Sequence, residues 1–533
     1  MRNYEYIIVG SGVAGTTIAK RLLEHNPLTA ILMLEAGPVI PSKDRRAWWD
    51  YITLNRTPYD YTYDKKWEAK SVGTTNWLSE GARVKAVGGS TMHWGAWSLR
   101  FKPEDFQLHS NTGQGADWPI SYDDLEAYYQ QAEEYLAVCG DEDEKWSPRS
   151  KPYPMPPFEW TAADGLMIKA FEEMDIKPGK MPLARYRKCF TTGTCKYCPF
   201  GSRFSAVDIL TELLENKKYV NFTLRPNTPV RKINCESKDK IASIECLNNL
   251  TGEVSLEKAS HYIICSGSYE TPKLLMNSKN EFWEKGVGND EDLCGRFIIS
   301  HSMLKVRGTF PENKERWFQE YDFPTLMSRS YDTPGRQAIG KIFLFKDRVQ
   351  PNQNIAKLMI AGKNCDEIDA IMSGPMTIEL QAFMEEKGKY DNRLEIMEGT
   401  DRFGLPLTKI SFSRTEEENE NALKNLEIMK EVILKMGCTI NPGDARVDEP
   451  GAHHTTGTCR MGKTAADGVT DENLKVHGIS NLYLCSNGVF PTGSAVNPTL
   501  TLTALSFRLS DLLIQQSNLL TQWNHKTSQP QKI

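Results

Sequence analysis

The chain has 533 residues, 40% hydrophobic, 10% aromatic and 25% charged, the make-up of a folded globular protein and not of a disordered one. A formal net charge of −5 gives no basic field for a polyanion, which sets nucleic acid aside as a partner. No apolar run reaches the ~18 residues that span a bilayer, and the opening MRNYEYIIVG enters a strand pattern at once. The expectation is therefore no transmembrane segment and no signal peptide: cytoplasmic as given, periplasmic only through a partner that carries an export signal.

The first 37 residues alternate in type: a strand YEYIIVG, a glycine turn SGVAG, a helix TTIAKRLLEH and a strand AILMLEAG. This is a βαβ unit, with Gly10, Gly12 and Gly15 forming GxGxxG and Glu35 closing the second strand 20 residues after Gly15. Glycine lets backbone approach a pyrophosphate, the helix N-terminus offers unpaired N–H groups, and Glu35 can accept from a ribose hydroxyl. A loop region of about 38–200 follows. Within it, WSPRSKPYPMPPFEW (146–160) is expected to be ordered because its four aromatics need burial. Residues 221–235 and 259–278 read as further strands of the same layer, the second running through Gly267 into a helix.

Residues 305–447 change character, with strand-like runs KLMIAG and MTIELQAF and then a helix that places Leu423, Leu426, Met429 and Ile433 on one face. The chain returns with NLKVHGISNLYLCSN and a last helix LTLTALSFRLSDLL. The fold expected is α/β. A discontinuous Rossmann-like domain (1–304 and 448–533) is interrupted by a sheet-based α+β substrate domain (305–447).

Two short segments carry chemistry of their own. RKCFTTGTCKYCPFGSRFSA (187–206) holds Cys189, Cys195 and Cys198. Without a second CxxC a four-cysteine zinc site lacks ligands, which leaves an iron–sulfur cluster, a redox pair or disulfide, or simple packing. HHTTGTCRMG (453–462) puts two of nine histidines side by side, as a metal site, a polar core pair or a catalytic base. Adjacent histidines on a strand point to opposite faces, and neither HExxH nor a carboxylate pair accompanies them, which argues against metal. A neutral imidazole, with an ordinary pKa of about 6.5, suits a general base working near pH 7.

Five segments, taken together, resemble the glucose-methanol-choline (GMC) oxidoreductase family in order and spacing from end to end. They are VGSGVAG with Glu35, AVGGSTMHWGAWSLR (86–100), CGRFIISH (294–301), HTTGTCRMG (454–462) and VHGISNLYLCSNGVFPTGSAVNPTLTLTALSFRLSDLL (476–513). GGSTMHWG, CKYCPFG and NPTLT are most similar to the sugar-oxidising branch of pyranose oxidases and gluconate, fructose and glucose dehydrogenases. The resemblance implies an FAD-binding fold with a sheet over the isoalloxazine ring, and hydride transfer to flavin N5 from an alcohol carbon of a sugar or polyol. It selects His454 as the base, three residues before Gly457 and Thr458, with Asn497 as its companion and His453 turned into the core or a hydrogen bond.

Cofactor contacts are implied at Gly88, Gly89, Ser90, Val230, Gly267, Asn487 and Thr499. At His93 some relatives attach FAD covalently and others keep an unattached histidine. The cysteine segment resembles one that carries an iron–sulfur cluster in some sugar dehydrogenase subunits, with different spacing. It favours a dehydrogenase serving an electron-acceptor protein or small subunit over an oxidase using O2. A catalytically inactive flavin-binding scaffold is the alternative of another class, and the intact His454 and Asn497 speak against it. In one departure, Ser486 stands where the family often has aspartate.

Overall fold

Strand β1 (Tyr4–Val9), helix α1 (Val13–His25) and strand β2 (Ile31–Leu34) follow the expected order. Tyr6 to Val9 and Ile31 to Leu34 are buried apolar runs, as parallel strands covered on both faces require. The computed structural model describes residues 4–54, 56–185, 189, 195–311, 321, 323–332, 342–346, 351–375 and 377–527.

Strand β3 (Phe222–Arg225) lies parallel to β2. The stretch 221–235 does not stay in one layer, however. The chain turns after Pro226, with Asn227 at a φ of 52°, and β4 (Val230–Ser237) leaves to form an antiparallel sheet with β5 (Lys240–Leu247) and β6 (Val254–Glu257). A proline-flanked turn is the physical cause of that break. The next strand, β7 (Ala259–Ile264), returns beside β1 in parallel and feeds α2 (Gly267–Asn277).

The second layer contains β8 (His301–Thr309), β9 (Leu326–Ser328), β10 (Ile342–Lys346), β11 (Thr377–Glu385) and β12 (Ala445–Asp448). Their order is β12-β8-β11-β10-β9, completed at the β9 edge by Gly179–Lys180 from the long loop region. The sheet thus starts at His301, not at residue 305. Antiparallel register pairs His301 with Glu385, Met303 with Phe383, Lys305 with Gln381 and Arg307 with Glu379, so these alternate side chains share one face. The other face, through Leu304, Val306, Ile378 and Leu380, packs on α3 (Glu416–Lys435).

Three local expectations need correction. The buried stripe of α3 runs through Ala422, Leu426, Met429 and Ile433 at helical spacing, and Leu423 is 59% exposed. KLMIAG is the end of a helix (Pro351–Ile360) and its turn, since a short apolar run does not by itself separate helix from strand. In the 146–160 loop Tyr153 is buried, whereas Trp160 stays 37% exposed with Lys180 Nζ 5.8 Å from its ring centroid.

Strand β13 (Leu482–Leu484) completes the parallel sheet in the order β13-β7-β1-β2-β3, and the final helix α4 (Thr499–Thr527) closes against α1. Among the described residues no helix is long and apolar enough to cross a membrane.

Candidate active site

A cavity of about 1180 Å³ opens where β1 and β7 end against the antiparallel sheet. Its wall gathers Gly10, Gly12, Glu35, Gly89, Ser90, His93, Val230, Gly267, Asn487 and Thr499 together with His454 and Asn497. Gly15 and Gly88 are not among its lining residues. Gly10 has a φ of 102°, and a Cβ there would stand 2.5 Å from Cys265 O, so only glycine passes between β1 and β7. A Cβ at Gly15 would meet Gly10 O at 2.2 Å, so the absent side chain lets α1 sit on its own strand.

Gly12 differs: a Cβ there would meet nothing within 4 Å, and no side chain caps the helix. The first N–H groups of α1 therefore open into the cavity, an anion site by construction. Glu35 accepts from Ser11 N–H at 3.1 Å, Ser11 O–H at 2.7 Å and Gly37 N–H at 3.0 Å, while burial raises its carboxyl above the ordinary range. Gly88 N–H donates to Ser11 Oγ at 3.2 Å, and Gly89 lies back to back with Gly12. Asn487 Oδ1 is buried without a hydrogen-bond partner among the described residues. An open pyrophosphate cradle, a fixed carboxylate at its edge and an unsatisfied amide oxygen fit the FAD implied by the sequence.

The histidine motif is positioned by a short antiparallel bridge. Ile299 and Thr456 exchange N–H···O bonds of 3.1 and 2.9 Å, which brings positions 301 and 454 opposite each other on one face. Gly457 makes the approach possible, with a φ of 89° and Phe297 O 2.0 Å from where a Cβ would stand. His454 Nδ1 lies 3.0 Å from His301 Nδ1, and His454 Nε2 lies 2.9 Å from Asn497 Nδ2. The Phe383 ring meets His454 at 76° with centroids 5.1 Å apart. Asn497 Oδ1 is buried and has no hydrogen-bond partner among the described residues.

His301 was not singled out in the sequence, although it ends the CGRFIISH segment. Its pairing depends on a bridge across 153 residues, which no local pattern announces. Of the two placements expected for His453, the core or a hydrogen bond, the structure gives the second, a hydrogen bond to the backbone of Ala82. His453 lines the cavity with its ring 6.4 Å from that of His93, and its open surface is cavity wall, so burial still lowers its pKa. Tyr63 O–H and His93 Nδ1 are 3.0 Å apart. Burial first, then His453 and Arg203, hold the His93 imidazole well below its usual pKa.

Opposite the nucleotide side, the face of β8 and β11 brings Lys305, Arg307, Glu379 and Gln381 to the cavity. Lys305 pairs with Asp448 at 2.5 Å, Arg307 with Glu379 at 3.2 Å, and Gln381 Nε2–H donates to Glu379 Oε1 at 2.6 Å. Arg307 Nε has no hydrogen-bond partner among the described residues. Ser486 is buried and accepts from Gly488 N–H at 3.2 Å.

The cysteine loop contributes Cys195 and Lys196 to the wall, and Arg185 Nη2–H donates to Cys195 Sγ at 3.7 Å. Residues 186–188 and 190–194 of that loop lie outside the described residues. Among the described residues no three His, Cys, Asp or Glu side chains are grouped as metal ligands.

The N- and C-terminal family models described as GMC oxidoreductase match residues 4–293 and 389–506. The chain is 25% identical to the fructose dehydrogenase large subunit of Gluconobacter japonicus, covering 96% of this chain and 97% of that protein. It is 24% identical to paromamine 6'-oxidase of Streptomyces fradiae, over 95% and 90%. The solved structure of pyridoxine 4-oxidase from Mesorbium loti superposes with a TM-score of 0.67 over 96% of this chain and 99% of that one, at 18% identity, a likeness of fold. Matched from end to end by sequence and by fold, the chain belongs to the GMC oxidoreductase family of FAD-binding enzymes that act on alcohol groups.

Proposed function

We propose that this protein oxidises an alcohol group of a sugar or sugar-like polyol to a carbonyl, with His454 as the base and Asn497 beside it. The observation that carries this reading is the His454–Asn497 pair, 2.9 Å apart, inside the cavity that Gly12 and Glu35 also line. FAD supplies the hydride acceptor when bound, held by the Gly10–Gly12 turn, Glu35, Gly89, Ser90, Val230, Gly267, Asn487 and Thr499. His454 Nε2 takes the hydroxyl proton, and the Asn497 amide holds the alcohol oxygen in place as it becomes a carbonyl. Loss of the proton from oxygen and of hydride from carbon balances the two-electron oxidation.

Lys305, Arg307, Glu379 and Gln381 present donors and acceptors to the same space, which suits several hydroxyls better than an apolar alcohol. Electrons then pass to an acceptor other than NAD. Similarity to the large subunit of fructose dehydrogenase favours a dehydrogenase with a partner subunit over use of O2. His93 serves as a packed contact with Tyr63 on Nδ1, so acid precipitation should leave the flavin in the supernatant; a coloured pellet would make His93 a covalent anchor.

The test is a panel of sugars, polyols and simple alcohols with the purified protein, comparing an artificial dye with O2. Polyol-dependent dye reduction faster than O2 uptake is expected. A response confined to apolar alcohols would overturn the substrate class.

A further inference from the structure

We infer that His301 fixes the proton-accepting tautomer of His454. This rests on His454 being the base. The chain of contacts begins at an atom whose role is unambiguous: Ser494 O is a carbonyl and only accepts. It lies 2.8 Å from His301 Nε2, so that nitrogen carries the hydrogen and donates. A neutral imidazole with hydrogen on Nε2 has its lone pair on Nδ1. In a neutral His301, Nδ1 therefore accepts, and its partner at 3.0 Å, His454 Nδ1, carries the hydrogen. His454 Nε2 is left with the lone pair, directed to Asn497 and the cavity. The assignment does not depend on which way the Asn497 amide is turned, and its observed orientation, Nδ2 towards His454, agrees with it.

The far end of this relay is itself held. Ser494 has a φ of 50°, its N–H donates to Glu385 Oε1 at 2.9 Å and its O–H donates to Asp105 Oδ2 at 2.8 Å. Both acids are buried. The carbonyl is thus aimed at His301 by three separate restraints. When His454 takes the alcohol proton on Nε2, its Nδ1–H still donates to His301, so the imidazolium keeps a partner on the side away from substrate. His301 is a positioning residue in this scheme: it touches the base and not the alcohol.

The role separates from packing through a pair of variants. His301→Leu keeps much of the volume and removes the acceptor, whereas His301→Asn loses volume but offers an Oδ1 near the place of Nδ1. We expect His301→Leu to slow flavin reduction by substrate about 100-fold or more, chiefly in kcat, by analogy with loss of a tautomer-holding partner elsewhere. His301→Asn should recover most of that loss; a purely structural role would favour leucine.

The direct readout is the imidazole 15N spectrum of the holoenzyme labelled at its nine histidines, with His454→Ala identifying the resonances. Wild type should show His454 with Nδ1 protonated and Nε2 bare, and His301→Leu should shift His454 towards hydrogen on Nε2. A wild-type His454 protonated on Nε2, or a leucine variant as fast as the asparagine variant, overturns the inference. If instead His454→Ala reduces its flavin normally, the proposed base itself is wrong, while the 15N assignment in wild type still decides the tautomer.

Discussion

His454 and Asn497, 43 residues apart in the chain, meet at 2.9 Å between Nε2 and Nδ2 at the start of the last helix. Replacing His454 by alanine should slow flavin reduction by substrate about 100-fold to 10,000-fold with flavin still bound, because no cradle contact is lost. His453→Ala should cost less than about tenfold, since its ring faces His93 and not Asn497. Rapid mixing of each variant with substrate, monitored by flavin absorbance, checks the pair; the opposite ranking would move the base to His453.

Of Gly10, Gly12 and Gly15, Gly12 is the one at which an added Cβ would face open space among the described residues. A Gly12→Val side chain would project into the pyrophosphate position, so this variant should purify with flavin largely absent. Glu35→Ala should weaken flavin retention and also release Ser11 and Gly37, its present donors. Flavin-to-protein absorbance ratios give the answer, and full occupancy in Gly12→Val would contradict the placement of the cofactor.

Glu385 makes stability depend on pH. Burial, ahead of the charges on Asp105 and Asp332, pushes its carboxyl from 4.5 up to about 8. A group raised on folding contributes its stability fully below the unfolded value, and that stability is lost as pH rises through the folded one. Wild-type Tm should therefore fall between about pH 4.5 and pH 8 more steeply than in Glu385→Gln, which keeps an acceptor for Ser494 N–H but does not ionise. Parallel Tm curves for the two proteins would show that Glu385 is already ionised across the window.

Arg307 lines the cavity, and its buried Nε has no hydrogen-bond partner among the described residues. Arg307→Met should raise KM for a polyol about tenfold, the size of one or two lost hydrogen bonds, with little change in kcat, because the guanidinium is remote from His454 along the strand. Steady-state kinetics test this, and an unchanged KM would remove Arg307 from the binding face.

Much of the nucleotide half was legible in the chain because local rules govern it: a strand, a glycine turn and a helix in sequence have one common solution, and Gly10, Gly12 and Glu35 all reached the cavity wall. The second half was harder, for reasons visible in particular residues. KLMIAG has no period long enough to tell a helix end from a strand. Leu423 lies one position from the true stripe. The break after Pro226 sent β4 to another sheet. His301 and the face from Lys305 to Arg307 depend on cross-strand register, set by partners far away in sequence, and single-sequence periodicity carries no such information.

The most direct test of the central claim is anaerobic mixing of the holoenzyme with a sugar and polyol panel, wild type beside His454→Ala, following loss of the flavin's visible absorbance. Bleaching by at least one polyol in wild type, slowed at least about 100-fold in His454→Ala at equal flavin content, is the expected result. Equal bleaching rates in the two proteins would contradict the assignment of His454 as the base.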